Sequence, residues 1–116
     1  MSAGRYNIKI EQGATFRFDI TYKDSTQQPV NLTGCTVRMQ IRPIPSSTTI
    51  LVNATQANGK IAVVPLTGRI TVTLSATETA ALDFTTARYD LEIAALDGTV
   101  TRLLEGAVQL SPEVTR

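Results

Sequence analysis

The chain has 116 residues, of which 42% are hydrophobic and 18% charged, with a formal net charge of +1. It contains no histidine, no tryptophan and a single cysteine, and most acid–base, nucleophilic and metal chemistry draws on histidine, cysteine or convergent carboxylates. The composition therefore disfavours an enzyme and predicts no catalytic residue, cofactor or metal site. The near-neutral charge also disfavours nucleic-acid binding.

A chain of this length is expected to form one domain, covering residues 1–116. Short runs in which apolar and polar residues alternate follow one another from the start, as in half-buried strands. Residues 6–10 place Tyr6, Ile8 and Ile10 on one face. Residues 16–22 form the clearest strand, with four inward side chains: Phe16, Phe18, Ile20 and Tyr22.

The next strand signal turns Val37, Met39 and Ile41 inward before Pro43 and Pro45 end it, because proline cannot donate to a sheet ladder. Two weaker β-rich pieces, residues 49–52 and 61–64, flank Asn58-Gly59, a dipeptide that favours a hairpin. Residues 69–74 form another strand.

The only helical signal begins at Ser75, where Ser75 and Glu78 fit a capping box. It predicts a short helix near residues 76–82, held by packing of Ala80, Ala81 or Leu82. The last two strands flank Asp97-Gly98, which favours a two-residue turn. That turn would pair Leu96 with Thr99 and Leu91 with Leu104, and it would set Asp90 against Glu105. Arg88 and Arg102 are the expected compensators, with a bulge at Gly106.

Strands at roughly ten-residue spacing, joined by turns, predict an antiparallel β-sandwich. The short helix, the polar corner at 83–86 and Tyr89 early in the next strand resemble a corner of immunoglobulin-like domains, in which a tyrosine hydroxyl bonds backward to the chain. We therefore expect an all-β, immunoglobulin-like sandwich of about seven to eight strands, with the Tyr89 hydroxyl bonded to the backbone of residues 75–86. Six inward residues should be buried together: Phe18, Ile20, Met39, Val72, Leu91 and Leu104.

The side chains that carry chemistry admit two interpretations each. Cys35 has no histidine as a base, which favours a partly buried apolar role over a nucleophile. Three carboxylates on adjacent strands would suit calcium or a glycosidase pair: Asp90, Glu92 and Glu105. Four arginines accompany them: Arg38, Arg42, Arg88 and Arg102. Their presence favours an ion-paired face or a protein interface over a metal, catalytic or phosphate site.

Several strings of the chain resemble a family of small virion-associated proteins of tailed bacteriophages, particularly those of aquatic bacteria and cyanobacteria. They are IEQGATF (10–16), ITYKD (20–24), NLTG (31–34), RMQIR (38–42), LSATETA (74–80), YDLE (89–92), RLLEG (102–106) and LSPEVTR (110–116). The strings span nearly the whole chain in order. The resemblance implies an immunoglobulin-like structural module without catalytic residues.

The resemblance further implies a non-catalytic structural protein of the virion, folded in the host bacterial cytoplasm, whose partners are other virion proteins or further copies of itself. We expect it in the tail, baseplate or fibre-attachment region. A capsid decoration protein and a carbohydrate-binding adsorption module are the alternatives, and the second would need exposed aromatic side chains. The lone cysteine fits a reducing compartment.

No secretory signal is apparent at the N-terminus, and no apolar run approaches the ~20 residues that span a bilayer, so no membrane association is expected. The terminal segments are the expected docking elements, because edge and terminal segments suit strand addition to a partner. Pro112 is expected to make the last residues project from the core. The docking residues are residues 1–4, Arg5, Ser111, Pro112, Glu113, Val114, Thr115 and Arg116.

Overall fold

The structure, a computed structural model, describes residues 4–115. Within that range the chain is built from nine strands, a single 3₁₀ turn at Pro65–Thr67 and one short helix, α1, at Ala76–Ala80. The strands are Gly4–Arg5 (β1), Ile8–Glu11 (β2), Phe16–Thr21 (β3), Thr36–Arg42 (β4), Val52–Thr55 (β5), Ile61–Val64 (β6), Arg69–Leu74 (β7), Thr86–Ala94 (β8) and Val100–Ser111 (β9).

The strands form two sheets. The larger sheet has the order β1-β9-β8-β4-β5, with β2 also paired to β9, and the smaller sheet has the order β3-β7-β6. Both β1 and β2 run parallel to β9, whereas all other pairings between named strands are antiparallel. Buried residues of both sheets form one apolar cluster. The predicted all-β architecture of two packed sheets is therefore confirmed. The expectation of purely antiparallel pairing is wrong for β1 and β2, because both lie beside β9, which runs in the same direction.

The alternating patterns placed the inward faces of the central strands correctly. Met39, Val72 and Leu91 are at most 2% exposed. Phe18, Ile20 and Leu104, also expected in the core, are only partly buried against it. The physical reason is their position: β3 is an edge strand with a neighbour on one side only, and Leu104 faces the two-residue strand β1.

The N-terminal strand differs from the expected run at 6–10. The chain leaves the sheet between β1 and β2, and Tyr6, expected inward, is 54% exposed. At this break the Asn7 side chain accepts the amide proton of Ala107 at 3.0 Å, while the amide of Tyr6 donates to Glu105 at 3.0 Å. The side-chain bond replaces a ladder bond, so the strand kinks and the Tyr6 ring turns outward.

The hairpin expected around Asn58-Gly59 is wrong. Residues 49–51 lie outside any strand, and β5 pairs with β4 in the larger sheet while β6 pairs with β7 in the smaller one. The turn therefore carries the chain from one sheet to the other. Asn58 shapes it with its own side chain, which accepts from the amide of Thr55 at 3.0 Å and donates to the carbonyl of Asn53 at 2.7 Å.

The β8–β9 hairpin has the predicted pairs Leu91–Leu104 and Asp90–Glu105, but it reaches them by another route. The loop is one residue longer than expected, because the amide of Ala95 donates to the carbonyl of Thr99 at 2.8 Å and Leu96 does not pair with Thr99. A register shift between Leu91 and Glu92, rather than at Gly106, compensates for the extra residue.

The capping box is present, as predicted. The Glu78 amide donates to the Ser75 hydroxyl at 3.1 Å, and the Ser75 amide donates to the Glu78 carboxylate at 2.9 Å. Of the residues expected to hold α1, only Leu82 is buried. The other anchor is Thr79, which is fully buried and whose hydroxyl donates to the carbonyl of Ala14 at 2.8 Å and accepts from the Gly13 amide at 3.0 Å.

Candidate functional site

The outer face of the larger sheet carries a grid of charged side chains, here called the charged face. Cross-strand pairing sets one row of Arg38, Glu92 and Arg102 beside a second row of Gln40, Asp90 and Glu105. A third row sets Arg42 against Arg88. The charged face thus gathers the three candidate carboxylates and the four candidate arginines on one surface.

Ion pairs connect most of these groups. The Arg38 guanidinium lies 2.9 Å from the Glu92 carboxylate. Arg102 contacts the carboxylates of both Asp90 and Glu105 at 3.5 Å, so it is the diagonal compensator that the predicted register required. The expected pairing is therefore confirmed for Arg102. Arg88 takes part in no ion pair within residues 4–115 and stands opposite Arg42 instead.

Asp90 lies in the second row of the charged face, between Gln40 and Glu105. Its partial burial, followed by the nearby Glu92 carboxylate, raises the pKa of Asp90 above its ordinary value, and Arg102 opposes that change. The guanidinium holds the Asp90 and Glu105 carboxylates together across the strands. Arg102 therefore offsets the repulsion between two carboxylates that the register sets directly opposite each other.

A cleft of about 540 Å³ opens on the charged face beside the segment at residues 45–48. Arg42 fixes this segment, since its guanidinium donates to the carbonyl of Ser47 at 2.6 Å and to the side-chain oxygen of Gln40 at 2.8 Å. Ser46, Ser47 and Thr48 line the cleft. Carboxylate-, guanidinium- and hydroxyl-bearing residues therefore line one open cleft on the charged face.

Metal-binding groups do not converge in the described residues: between residues 4 and 115 no group of three or more histidine, cysteine, aspartate or glutamate side chains is placed to hold a metal ion. Cys35 is partly buried and packs against the apolar cluster, as expected for a small apolar residue. Across the same range no helix is long and apolar enough to cross a membrane.

Tyr89 anchors the N-terminal segment, and the expected bond to residues 75–86 is wrong. Its hydroxyl donates to the carbonyl of Tyr6 at 2.6 Å. Burial raises the pKa of Tyr89 to about 12, with a smaller effect from Tyr6. Tyr89 faces Gly106 across the strands, and a Cβ at Gly106 would lie 2.2 Å from the Tyr6 carbonyl oxygen. Gly106 is thus a point of close approach and not a bulge.

The terminal segments lie near opposite ends of the ladder that β1 and β2 form with β9, about 20 Å apart at ~3.3 Å per residue. Gly4 and Arg5 pair with Leu104 and Glu105, and Ser111, at the end of β9, pairs with Glu11. Residues 1–3 and Arg116, which belong to the expected docking segments, lie outside the described residues. Arg5, Pro112, Val114 and Thr115 are exposed.

The C-terminal segment does not project from Pro112 as expected. Gln12 holds it: the Gln12 amide donates to the Ser111 carbonyl at 2.9 Å, and the Glu113 amide donates to the Gln12 side chain at 2.9 Å. The same side chain donates to the Leu82 carbonyl at 2.6 Å. The sequence does not reveal the roles of Gln12 and Thr79, because a polar residue in a turn or a short helix gives no sign of partners 65 or more positions away.

The sequence matches no model of a known protein family, and a comparison with curated proteins finds no significant match.

Proposed function

We propose that this chain is a non-catalytic structural protein of a tailed-bacteriophage virion, an immunoglobulin-like module that docks on other virion proteins. One observation supports the immunoglobulin-like type most directly. The larger sheet has the order β1-β9-β8-β4-β5, with β2 also beside β9, and the smaller sheet has the order β3-β7-β6. This arrangement resembles the two-sheet division of immunoglobulin domains, with β5 as a strand added beside β4. The family resemblance of the sequence strings supplies the link to phage particles.

The position of the two terminal segments along one side of the larger sheet carries the docking proposal. Strands β1 and β2 form that edge, with Arg5 beside Glu105 near one end and Ser111 beside Glu11 near the other. A neighbouring protein that contacts both segments therefore extends along the edge over about 20 Å. Beyond Glu113 the side chain of Val114 is 91% exposed. Covering an exposed apolar side chain with a partner lowers the free energy of the complex. We place the contact in the tail, baseplate or fibre-attachment region, with capsid decoration as the alternative position.

A truncation experiment tests the docking proposal. Removing residues 114–116 leaves the Gln12 contacts to Ser111 and Glu113 intact, so the isolated domain should keep the melting temperature of the full chain. The same truncation should reduce incorporation into particles, because it removes the exposed Val114 side chain from a contact that would bury on the order of 1,000 Å². Removal of residues 111–116 is the destabilised control, since it also deletes the bonds to Gln12.

Incorporation is measured by quantifying the chain in purified particles produced by complementation. Normal incorporation of the 114–116 truncation, together with normal incorporation of an Arg5→Glu variant, would contradict docking through the termini. Binding of host glycans by the isolated domain would instead favour the adsorption module. Among the six aromatic residues, all of which lie in the described part of the chain, only Tyr6 is exposed. Stacking on sugar rings normally uses more than one such side chain, so this outcome is not expected.

A further inference from the structure

Strand β3 forms one edge of the smaller sheet and offers backbone groups to a further strand. Within residues 4–115 its strand partner is β7 alone. The amide of Tyr22 donates to Gly68 at 2.8 Å, which extends the β3–β7 register by one pair. Because hydrogen-bonded pairs alternate along an antiparallel ladder, the amides and carbonyls of Phe16, Phe18 and Ile20 face β7. Those of Arg17, Asp19 and Thr21 face the open side.

The open side of β3 also borders incompletely buried apolar surface. Phe16, Phe18 and Ile20 are only partly buried, and a groove of about 450 Å³ separates β3 from β1. The ring of Tyr6 lies in this region, with its centroid 5.4 Å from that of Phe18. An added strand at this edge would satisfy the free backbone groups and cover the exposed part of these side chains.

The sequence of β3 identifies the occupant that fits. Around Phe18 the strand reads apolar, basic, apolar, acidic, apolar: Phe16, Arg17, Phe18, Asp19, Ile20. In an antiparallel pair, directly opposite residues point to the same face. If two copies of β3 pair about Phe18, Arg17 of each copy lies opposite Asp19 of the other, and Phe18 lies opposite its own counterpart.

We propose that two copies of this chain associate through β3 in this register, forming a continuous six-stranded sheet across a two-fold axis. Arg17 and Asp19 then exchange backbone hydrogen bonds in both symmetry-related pairs, since their amides and carbonyls face the open side. Registers centred on Arg17 or Asp19 would set like charges opposite each other, which destabilises a sheet. The register centred on Phe18 is therefore the one of these three in which the strand is complementary to itself. This association does not depend on the proposed virion role.

Charge reversal tests the register. Arg17→Asp and Asp19→Arg each place like charges in both symmetry-related pairs, so each variant should weaken the dimer at least about tenfold. The double variant restores opposite charges and should dimerise like the native chain. An equimolar mixture of the two single variants should form a heterodimer, because acidic residues then face basic ones in both pairs. Sedimentation equilibrium over a concentration series measures each dissociation constant.

Folding is separable from association in this series. Asp19 accepts a hydrogen bond from the Thr71 hydroxyl at 2.6 Å and lies near Arg69, so Asp19→Arg also perturbs the monomer. The side-chain contact of Arg17 is with Asp19, and Arg17→Asp is the milder variant. Lys9→Asp makes the same charge change on β2 and should leave the dissociation constant unchanged. Circular dichroism and thermal melting confirm that each variant is folded.

Cysteine crosslinking provides an independent readout in a Cys35→Ser background. Phe18→Cys places two cysteines directly opposite each other in a non-hydrogen-bonded pair, where Cβ atoms approach closely enough for a disulfide. Phe16→Cys is the matched control: it also replaces a phenylalanine of β3, but in this register position 16 lies opposite Ile20 of the other copy. Mild oxidation should therefore crosslink the position 18 variant and not the position 16 variant. A native chain that stays monomeric at all concentrations, a dimer insensitive to Arg17→Asp, or equal crosslinking at both positions would overturn the proposal.

Discussion

Replacing Gly106 by alanine probes the point at which the N-terminal segment crosses the larger sheet. An added Cβ would lie 2.2 Å from the carbonyl oxygen of Tyr6 and 2.8 Å from its carbonyl carbon, whereas real Cβ atoms essentially never approach a heavy atom within 3.0 Å. The contacted atoms belong to the backbone, so a rotamer change cannot relieve the clash. The Tyr6 segment must move by at least about 0.8 Å, the difference between the 3.0 Å limit and the 2.2 Å distance to the Tyr6 carbonyl oxygen.

Such a movement strains the hydrogen bonds that hold this crossing. The Tyr89 hydroxyl lies 2.6 Å from the Tyr6 carbonyl, and the Tyr6 amide lies 3.0 Å from the Glu105 carbonyl. Loss of both, with a buried hydroxyl left unpaired, costs about 2–4 kcal/mol. Alanine restricts the unfolded chain and returns about 0.5–1 kcal/mol. The expected net destabilisation is therefore about 1–3 kcal/mol.

Urea unfolding and differential scanning calorimetry measure this effect. For a domain of this size, a loss of 1–3 kcal/mol lowers the melting temperature by about 4–12 °C. Gly4→Ala is the matched control, because its Cβ would meet mainly the flexible end of the Leu104 side chain at 3.1 Å. A Gly106→Ala variant as stable as the native chain, or as stable as Gly4→Ala, would refute the close-approach argument.

Three further predictions concern the anchor, the core and the helix cap. Tyr89→Phe removes the bond to Tyr6 and should destabilise the fold by about 1–3 kcal/mol, with faster amide exchange at Tyr6 and Ala107. Faster exchange confined to residues 75–86 would instead favour a hydrogen bond from the Tyr89 hydroxyl to that segment. Leu91→Ala truncates a fully buried side chain and should cost about 2–5 kcal/mol in urea unfolding; a cost below about 1 kcal/mol would contradict its central place in the core. Lys60 and the Ser75 amide lower the pKa of Glu78 from 4.5 to about 2. Because that pKa is depressed in the folded state, the Glu78 carboxylate stabilises the fold above pH 4.5, and this contribution is lost as the pH falls towards 2. The difference in unfolding free energy between the native chain and Glu78→Gln should therefore be largest near neutral pH and shrink as the pH falls from 4.5 to about 2. A difference that stays constant over this pH range would contradict the stabilising role of the Glu78 carboxylate.

Period-two patterns predicted those features of the fold that depend on neighbouring residues. Met39, Leu91 and Val72 are buried because each lies on the inward face of a strand with partners on both sides. The pattern carries no information on which sheet a strand joins. For that reason Asn58-Gly59, a good hairpin dipeptide, instead connects β5 to β6 in the opposite sheet.

Long-range side-chain bonds were beyond sequence reasoning. Tyr89 was identified as a structural tyrosine, yet its partner Tyr6 is 83 positions away. Two errors in the last hairpin cancelled: the loop is one residue longer than expected, and the register shift beside Leu91 restores the predicted pairs. The charged face was predicted as an ion-paired surface because arginines and carboxylates alternate on adjacent strands, a pattern that the hairpin register preserves.

Cryo-electron microscopy of purified particles from a phage that encodes this chain would show whether it is a virion component. We expect density for the two-sheet domain at symmetry-related positions in the tail, baseplate or fibre-attachment region, with the edge formed by β1 and β2 against a neighbouring protein. Particles that are complete and infectious without the chain, while the chain stays in the soluble lysate, would contradict the proposed virion role.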